Sequence, residues 1–478
     1  MTEELVEEGS EKRLDPEQQA SEGQDTASGP RDVITVVLTA DNHLGAAAGQ
    51  PMRRREERAR QLRHAFQQAV DFAIGQGVDL FVQAGDLFDS LNPAEDERSF
   101  VAERLVQLRQ AGVRTFMVGG LHDTPPLGRS LAEGTLPAPQ LSFARLGALH
   151  YFEPLSLPPR PALSMAAGAT VGSGQPLIEL APALCEIRQL RVGLCGLSVR
   201  VGQEGDPLAS VRPAAELERA QIRILILHAP IEGLSADLAP ADAQVQVSRS
   251  TLARQTAFQY VLAGYHHAFE HLRLGQCELI VAGSTQHIDF NDPDAEPGFV
   301  FLGLASDGLR WCKHIAVEAL RLRRLIVPTS DLWPAPAPET QAERAGTLAS
   351  ASNVGSPTAV ILERLRPLCD QQTMVQLKLE GELTRQQYHQ LDLNQIRRYG
   401  EQHAFSLAID DTALTLLPDH EASAGSGSGP AEATERFSPR EELAALADEW
   451  IAAASDEQEK KALLVTKEVL LNALDEIH

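Results

Sequence analysis

Five short apolar runs, each followed closely by a carboxylate or an imidazole, set the pattern of this chain. Val33–Leu38 leads into Asp41 and His43 in the stretch TADNHLG, and FVQAGDLFD carries Asp86 behind a second run. MVGGLHD sets His122 and Asp123 behind a third, ILILHAP sets His228 behind a fourth, and YVLAGYHH sets His266 and His267 behind a fifth. The runs are rich in β-formers, and segments between them, such as Gln61–Ile74 and Ala94–Gln110, have helical spacing. This alternation over residues 32 to about 325 predicts an α/β core. Polar groups at the C-terminal ends of strands fall where open α/β sheets place their ligand crevices.

The pattern changes on either side. Residues 1–31 lack periodic apolar positions and are expected to be a disordered acidic tail. Pro154–Gly174 is rich in Pro, Ala and Gly and reads as a surface loop, and residues 328–357 read as a Pro/Ala/Ser linker. Beyond it, Val360–Leu368 has helical spacing, and Met374–Glu380 alternates with Val375, Leu377 and Leu379 on one face. A helical stretch near Thr384–Tyr399 and a strand near Ala404–Ile409 complete a small α/β module over 358–418. A Gly/Ser-rich linker, 419–437, then precedes Ser438-Pro439-Arg440-Glu441, a capping box with proline at the first helical position. Leu443, Leu446, Ala447, Trp450 and Ile451 form one apolar stripe, and Leu463, Leu470, Leu474 and Ile477 form another. Two tethered amphipathic helices cannot bury both stripes alone. They seek a partner's groove or coiled coil, or fold back on the small module.

Composition adds constraints. A chain of 478 residues predicts two or three domains, and no apolar run approaches the ~20 residues that span a bilayer. The acidic, polar N-terminus is the reverse of a secretory signal, and the five scattered cysteines include no C-x-x-C pair; both point to a reducing, cytoplasmic setting. A net charge of −24 argues against strong independent affinity for nucleic acid, although residues 1–32 and the tail beyond Ala431 carry much of the excess acid. Arg53, Arg54 and Arg55, with Arg58, Arg60 and Arg63, follow the first motif directly. They can reach a phosphate backbone, or they form a solvated helix start balanced by Glu56 and Glu57.

The chemistry follows from the donor types. Carboxylate oxygens mixed with imidazole nitrogens suit manganese, iron or zinc, and two such ions can clamp a phosphodiester. The order of motifs resembles calcineurin-like metallophosphoesterases of the DNA-repair exonuclease branch, with its D-x-H, G-D, G-N-H-D, lone H and G-H-x-H. This branch includes the SbcD-like nuclease subunits. The stretch Gly283-Ser-Thr-Gln-His-Ile-Asp-Phe-Asn-Asp, followed by Pro297-Gly-Phe-Val, is similar to that branch in particular. The resemblance covers roughly residues 32 to 325.

It implies a β-sandwich flanked by helices over 32–327, a small α/β capping domain and a C-terminal helical pair, 438–478. It assigns the first metal to Asp41, His43, Asp86 and His267, and the second to Asp86 as a bridge with His228, an asparagine and a histidine. Here Leu121 stands where the family has that asparagine, and Tyr265 where it has that histidine. Leucine offers no donor, and a phenol with a pKa of about 10 ligates poorly when neutral. His266 is adjacent but in extended backbone points to the opposite face. One tight manganese ion and a weak or absent second are therefore expected. His122 matches the histidine that assists chemistry at the scissile phosphate, or is simply part of a strand-to-loop turn.

The expected function is the nuclease-type subunit of a DNA double-strand-break repair complex, hydrolysing phosphodiesters with metal-bound hydroxide. Its partners would be DNA and an SbcC-like coiled-coil ATPase gripped through Trp450 and Leu470, with a homodimer in prospect. The alternatives are a non-catalytic structural subunit of the same complex and a one-metal phosphodiesterase of a small substrate.

Overall fold

The computed structural model describes residues 32–46, 52–127, 136–154, 178–234, 245–333 and 356–417, with seven positions between 444 and 467. The tail 1–31, most of the loop at 154–174, most of the linker at 328–357, the linker at 419–437, the Arg53 side chain, Trp450 and Leu470 lie outside the described residues. The chain divides into two compact units, Met1–Arg321 and Leu322–His478.

The first unit is built on two six-stranded sheets. In chain order its strands are β1 (Val33–Thr39), β2 (Leu80–Ala84), β3 (Arg114–Val118), β4 (His150–Phe152), β5 (Ile178–Leu180), β6 (Ala183–Ile187) and β7 (Leu190–Ser198). They continue as β8 (Val211–Pro213), β9 (Ile222–His228), β10 (Tyr260–Gly264), β11 (Glu270–Leu274), β12 (Cys277–Val281), β13 (Gly298–Ala305) and β14 (Gly308–Ala316). One sheet runs β14-β13-β1-β2-β3-β4 and the other β11-β12-β10-β9-β7-β6, with β5 and β8 paired apart. β1, β2, β3 and β4 are mutually parallel, as are β7, β9, β10 and β12, so each sheet gathers several C-terminal strand ends on one edge.

Strand parity assigns the side chains. Ile34, Val36 and Leu38 of β1 join Ile222, Ile224 and Ile226 of β9 in the core between the sheets. Val37 and Phe81 point the other way, onto α1 (Met52–Gln76) and α2 (Glu95–Gln110), whose Phe66, Val70, Val101 and Leu105 cover the outer face with α3 (Gln140–Arg145). On the other sheet Leu225, Leu227, Val261 and Leu279 form a third cluster with Leu252 of α4 (Arg249–Arg254). This is the expected helix-flanked sandwich. No described helix is long and apolar enough to cross a membrane.

The second unit holds a three-stranded sheet, β15 (Arg321–Pro328), β16 (Thr373–Thr384) and β17 (Ser406–Leu417), in that order. Its core is Val327, Ile361, Leu365, Val375, Leu377, Leu379 and Ile396. The expected domain boundary at 327 therefore moves back: β15 is an edge strand of this unit, because Val327 is buried among its residues. The expected linker also opens on a helical turn, α5 (Thr329–Leu332). α6 (Pro357–Leu365) begins at the Ser356 cap, with proline in its first turn. The helical stretch expected at 384–399 is two helices, α7 (Arg385–His389), with a Thr384/Gln387 capping box, and α8 (Leu393–His403), recapped by Asp392.

Candidate metal centre

Strand ends deliver every singled-out ligand to one edge of the sandwich. Asp41 follows β1, Asp86 follows β2, His122 follows β3, His228 closes β9 and His267 follows β10. The loops after β1 and β2 are zipped together, Asp41 N donating to Gly85 O at 3.0 Å and His43 N to Asp86 O at 3.0 Å. Making these tight turns forces Asp41 (φ 48°), His43 (φ 45°), Asp86 (φ 52°) and Tyr265 (φ 84°) into the left-handed region. Each such residue costs on the order of 1–3 kcal/mol, and strain of this kind clusters at functional sites. Gly120 is needed for a different reason, since a Cβ there would overlap the Asp86 carboxylate.

Three imidazoles share one arrangement. His43 Nδ1 meets Asp89 Oδ1 at 3.0 Å, His267 Nδ1 meets Asp292 Oδ1 at 2.7 Å, and His228 Nδ1 meets the Ala84 carbonyl at 2.8 Å. Carboxylates and carbonyls only accept, so Nδ1 carries a proton in all three rings and Nε2 is the nitrogen whose lone pair becomes free when the ring is neutral. The Nε2 atoms of His43 and His228 are buried and make no hydrogen bond; Asp86 Oδ2 lies 4.0 Å and 3.3 Å from them, respectively. Buried, pre-oriented lone pairs facing carboxylates fit a metal ion, and the outer partner on Nδ1 is the usual companion of a ligating histidine. Ligand atoms of Asp41, His43 and His267 lie within 4.8 Å of one another, as do those of Asp41, Asp86 and His228. Asp86 thus stands between His43 and His228, and Asp41 is shared by both groups.

Leu121 packs against the apolar cluster of the second sheet. Tyr265 donates its backbone N–H to Asp41 at 3.0 Å, and its ring stands 5.7 Å from that of His228. His266 accepts a hydrogen bond from Ile231 N at 2.8 Å through Nε2. Burial, with His228 and His267 nearby, lowers its pKa to about 3, so it is a neutral structural residue.

Opposed charges tune the centre. Burial alone would raise the Asp86 carboxyl, yet His228, His43 and His122 hold it well below the usual carboxylate range. Burial pushes Asp41 up to about 6 against the pull of His228 and His267. Burial disfavours the imidazolium of His228, but Asp86 and then Asp41 hold it up at about 9. His267 also stands at about 9, because Asp292 outweighs burial, and His43 is raised, Asp89 opposing its burial.

His122 is half-exposed at the rim, with Nδ1 3.3 Å from Asp89 O and its ring 4.7 Å from that of His43. Its backbone N–H donates to Asp86 Oδ1 at 2.8 Å. Its neighbour Asp123 is buried and accepts from Gly120 N, Phe88 N and the Gln140 amide, which fixes the loop from within. Burial, with Asp86 close by, pushes this carboxyl up to about 7.

Sequence reasoning did not single out Asp89 and Asp292, although both stand inside motifs that marked the resemblance. The arginine run divides. Arg54 pairs with Glu57 at 2.6 Å, Arg60 lies near Glu56, Arg63 lies near Glu56 and 3.3 Å from the buried Glu97, and Arg55 is exposed. Arg58 is buried, 1% exposed.

No family model matches the chain. In sequence it is similar to DNA double-strand break repair proteins named Mre11. That of Saccharolobus solfataricus is 29% identical over 93 residues, 20% of this chain and 23% of that protein. That of Sulfurisphaera tokodaii is 30% identical over 19% of this chain and 22% of that protein, and that of Methanosarcina mazei 33% identical over 19% and 14%. The chain thus spans less than a quarter of the length of these relatives. Among solved structures, a dimetal phosphatase from Danio rerio aligns at TM-score 0.32 and 14% identity over 59% of this chain and 98% of that one. A calcineurin-like phosphoesterase from Bacillus subtilis aligns at TM-score 0.33 and 9% identity over 59% and 90%. Over about a fifth of its length the chain is thus similar in sequence to the Mre11 double-strand break repair proteins.

Proposed function

We propose that this chain is a metal-dependent phosphodiesterase acting on DNA, the nuclease-type subunit of a double-strand-break repair assembly, working with one complete metal site. The observation that carries this reading is the shared arrangement of His43, His228 and His267, each ring held at Nδ1, with Nε2 of His43 and His228 buried and without a hydrogen bond. Asp41, His43, Asp86 and His267 would hold the first ion, which we take to be manganese from the mixed oxygen and nitrogen donors. Asp86 and His228 would hold a weaker second. A divalent ion there supplies charge to phosphoryl oxygens and lowers the pKa of bound water.

The chain's own residues supply the rest. Asp86, kept anionic by its histidines, anchors the His122 loop through the His122 N–H, so the rim and the ligand bridge move together. His122 is open to solvent on one side and braced by Asp89 on the other, the placement a general acid for a leaving oxygen requires. DNA as substrate and a coiled-coil ATPase of the SbcC type as partner follow from the relation to repair proteins, with 438–478 as the docking segment.

Leu121 and Tyr265 favour a second reading, a non-catalytic subunit that keeps the contacts and has lost turnover. Manganese-dependent cleavage of linear duplex DNA by the full chain separates the two. Our reading expects cleavage that Asp86→Asn abolishes and His122→Asn lowers about 10²–10⁴-fold. DNA binding without any cleavage by the unaltered chain supports the non-catalytic reading.

A further inference from the structure

We propose that Arg58 is a positioning residue for the first metal site, clamping the loop that carries Asp292, the carboxylate that orients His267. The inference rests on the reading of those histidines as ligands. Arg58 sits in the run that looked like a solvated helix start, yet it is 1% exposed. Its guanidinium donates to the carbonyls of His287 and Ile288 and reaches Gln286 Oε1 at 3.5 Å. Gln286 Oε1 in turn accepts from Leu320 N at 3.1 Å. The clamped residues open the loop that ends at Asp292. That carboxylate accepts from Ile288 N through Oδ2 and from His267 Nδ1 through Oδ1.

A continuous chain of contacts therefore runs from α1 through Arg58 and the 286–288 backbone to Asp292 and the His267 ring. The charge of Asp89, the carboxylate behind His43, also acts on this cation, after that of Asp292. Burial lowers the Arg58 pKa to about 10, with Asp292 and Asp89 opposing the drop, so it remains charged at neutral pH. A buried charge is costly unless hydrogen-bonded, and here its partners are the carbonyls that open the loop to Asp292. Lysine keeps the charge but not the planar fork that serves several carbonyls at once.

The test uses the full chain with Arg58→Met, Arg58→Lys and His267→Ala. Manganese affinity is measured by titration, folding of the metal-free protein by circular dichroism, and the His267 tautomer by nitrogen NMR of the ring at a pH above about 9, where it is neutral. The proposal expects Arg58→Met to weaken manganese binding about 10- to 100-fold, as loss of an outer partner does, and to mix the His267 tautomers. Arg58→Lys should fold, recover part of the affinity and keep the Nδ1–H form. Where Arg58→Met fails to fold, a folded Arg58→Lys with affinity between those of the unaltered chain and His267→Ala supports the proposal. Unaltered affinity and tautomer in the folded Arg58 variants, with binding lost in His267→Ala, overturn it and leave the ligand reading standing. Unaltered affinity in His267→Ala itself overturns the ligand reading, and the proposal with it.

Discussion

Asp292 accepts the Nδ1 proton of His267 at 2.7 Å, across 25 residues of sequence, and so fixes which nitrogen of that ring is free. Asp89 does the same for His43 at 3.0 Å. A ligand imidazole that must find its tautomer and rotamer on binding loses affinity, and outer partners of this kind are worth about 10–100-fold. Asp89→Ala and Asp292→Ala should each weaken the first ion by that factor while leaving the fold intact. Equilibrium metal titration of the two variants checks this. Unchanged affinity would mean that packing alone orients the rings.

A pH dependence follows from the raised imidazolium groups. In the metal-free fold His228 and His267 stand at about 9, against the ordinary 6.5, so both are largely protonated near neutrality. A metal ion must displace those protons, so affinity should rise with pH and level off above about 9, with proton release on binding near pH 7. The folding sign is the opposite. The stability these groups give the metal-free chain is fully present below 6.5 and is lost as pH rises through about 9. Calorimetric titration in buffers of different ionisation enthalpy reads the proton release, and urea unfolding after chelation reads the stability. Metal affinity independent of pH between 7 and 9 would contradict the protonation states described.

The strand-end ligands were legible because their signal is local: an apolar run that must be a strand, then a polar group where the strand stops. Leu121 and Tyr265 were legible for the same reason, as departures at fixed positions in such motifs. Asp292 and Arg58 were not. Their roles depend on where the loop at 286–292 lands against α1, a closure between segments 228 residues apart. Arg58 has the same composition around it as its exposed neighbours, and only burial separates them. β15 was misassigned because strand pairing with β16, far along the chain, decides which core buries Val327.

If missing ligands limit turnover, restoring them should raise it. Leu121→Asn with Tyr265→His should increase manganese-dependent DNA cleavage at least tenfold, about 1.4 kcal/mol of barrier, which is small against what a second Lewis acid supplies. Tyr265 already occupies a left-handed conformation, so histidine adds no new backbone strain there. Steady-state rates of the folded double variant decide the point. No change would mean that the loss of turnover has another cause.

The apolar stripes at 443–451 and 463–477 predict a partner. Deleting 438–478 should leave the core folded and metal-binding but abolish association with a coiled-coil ATPase of the SbcC type. Trp450→Ala with Leu470→Ala should weaken that complex by roughly 2 kcal/mol or more, since few anchors dominate an interface. Co-purification of the truncated chain at undiminished affinity would place the helices on their own small domain instead.

The central claim is one complete metal site beside a dismantled one, and metal content per chain tests it most directly. After manganese loading and removal of free ion, the unaltered chain should retain close to one tightly held ion. His267→Ala should retain none, and His228→Ala close to one. Two tightly held ions in the unaltered chain, with one lost in His228→Ala, would contradict the account and show that the second site is complete despite Leu121 and Tyr265.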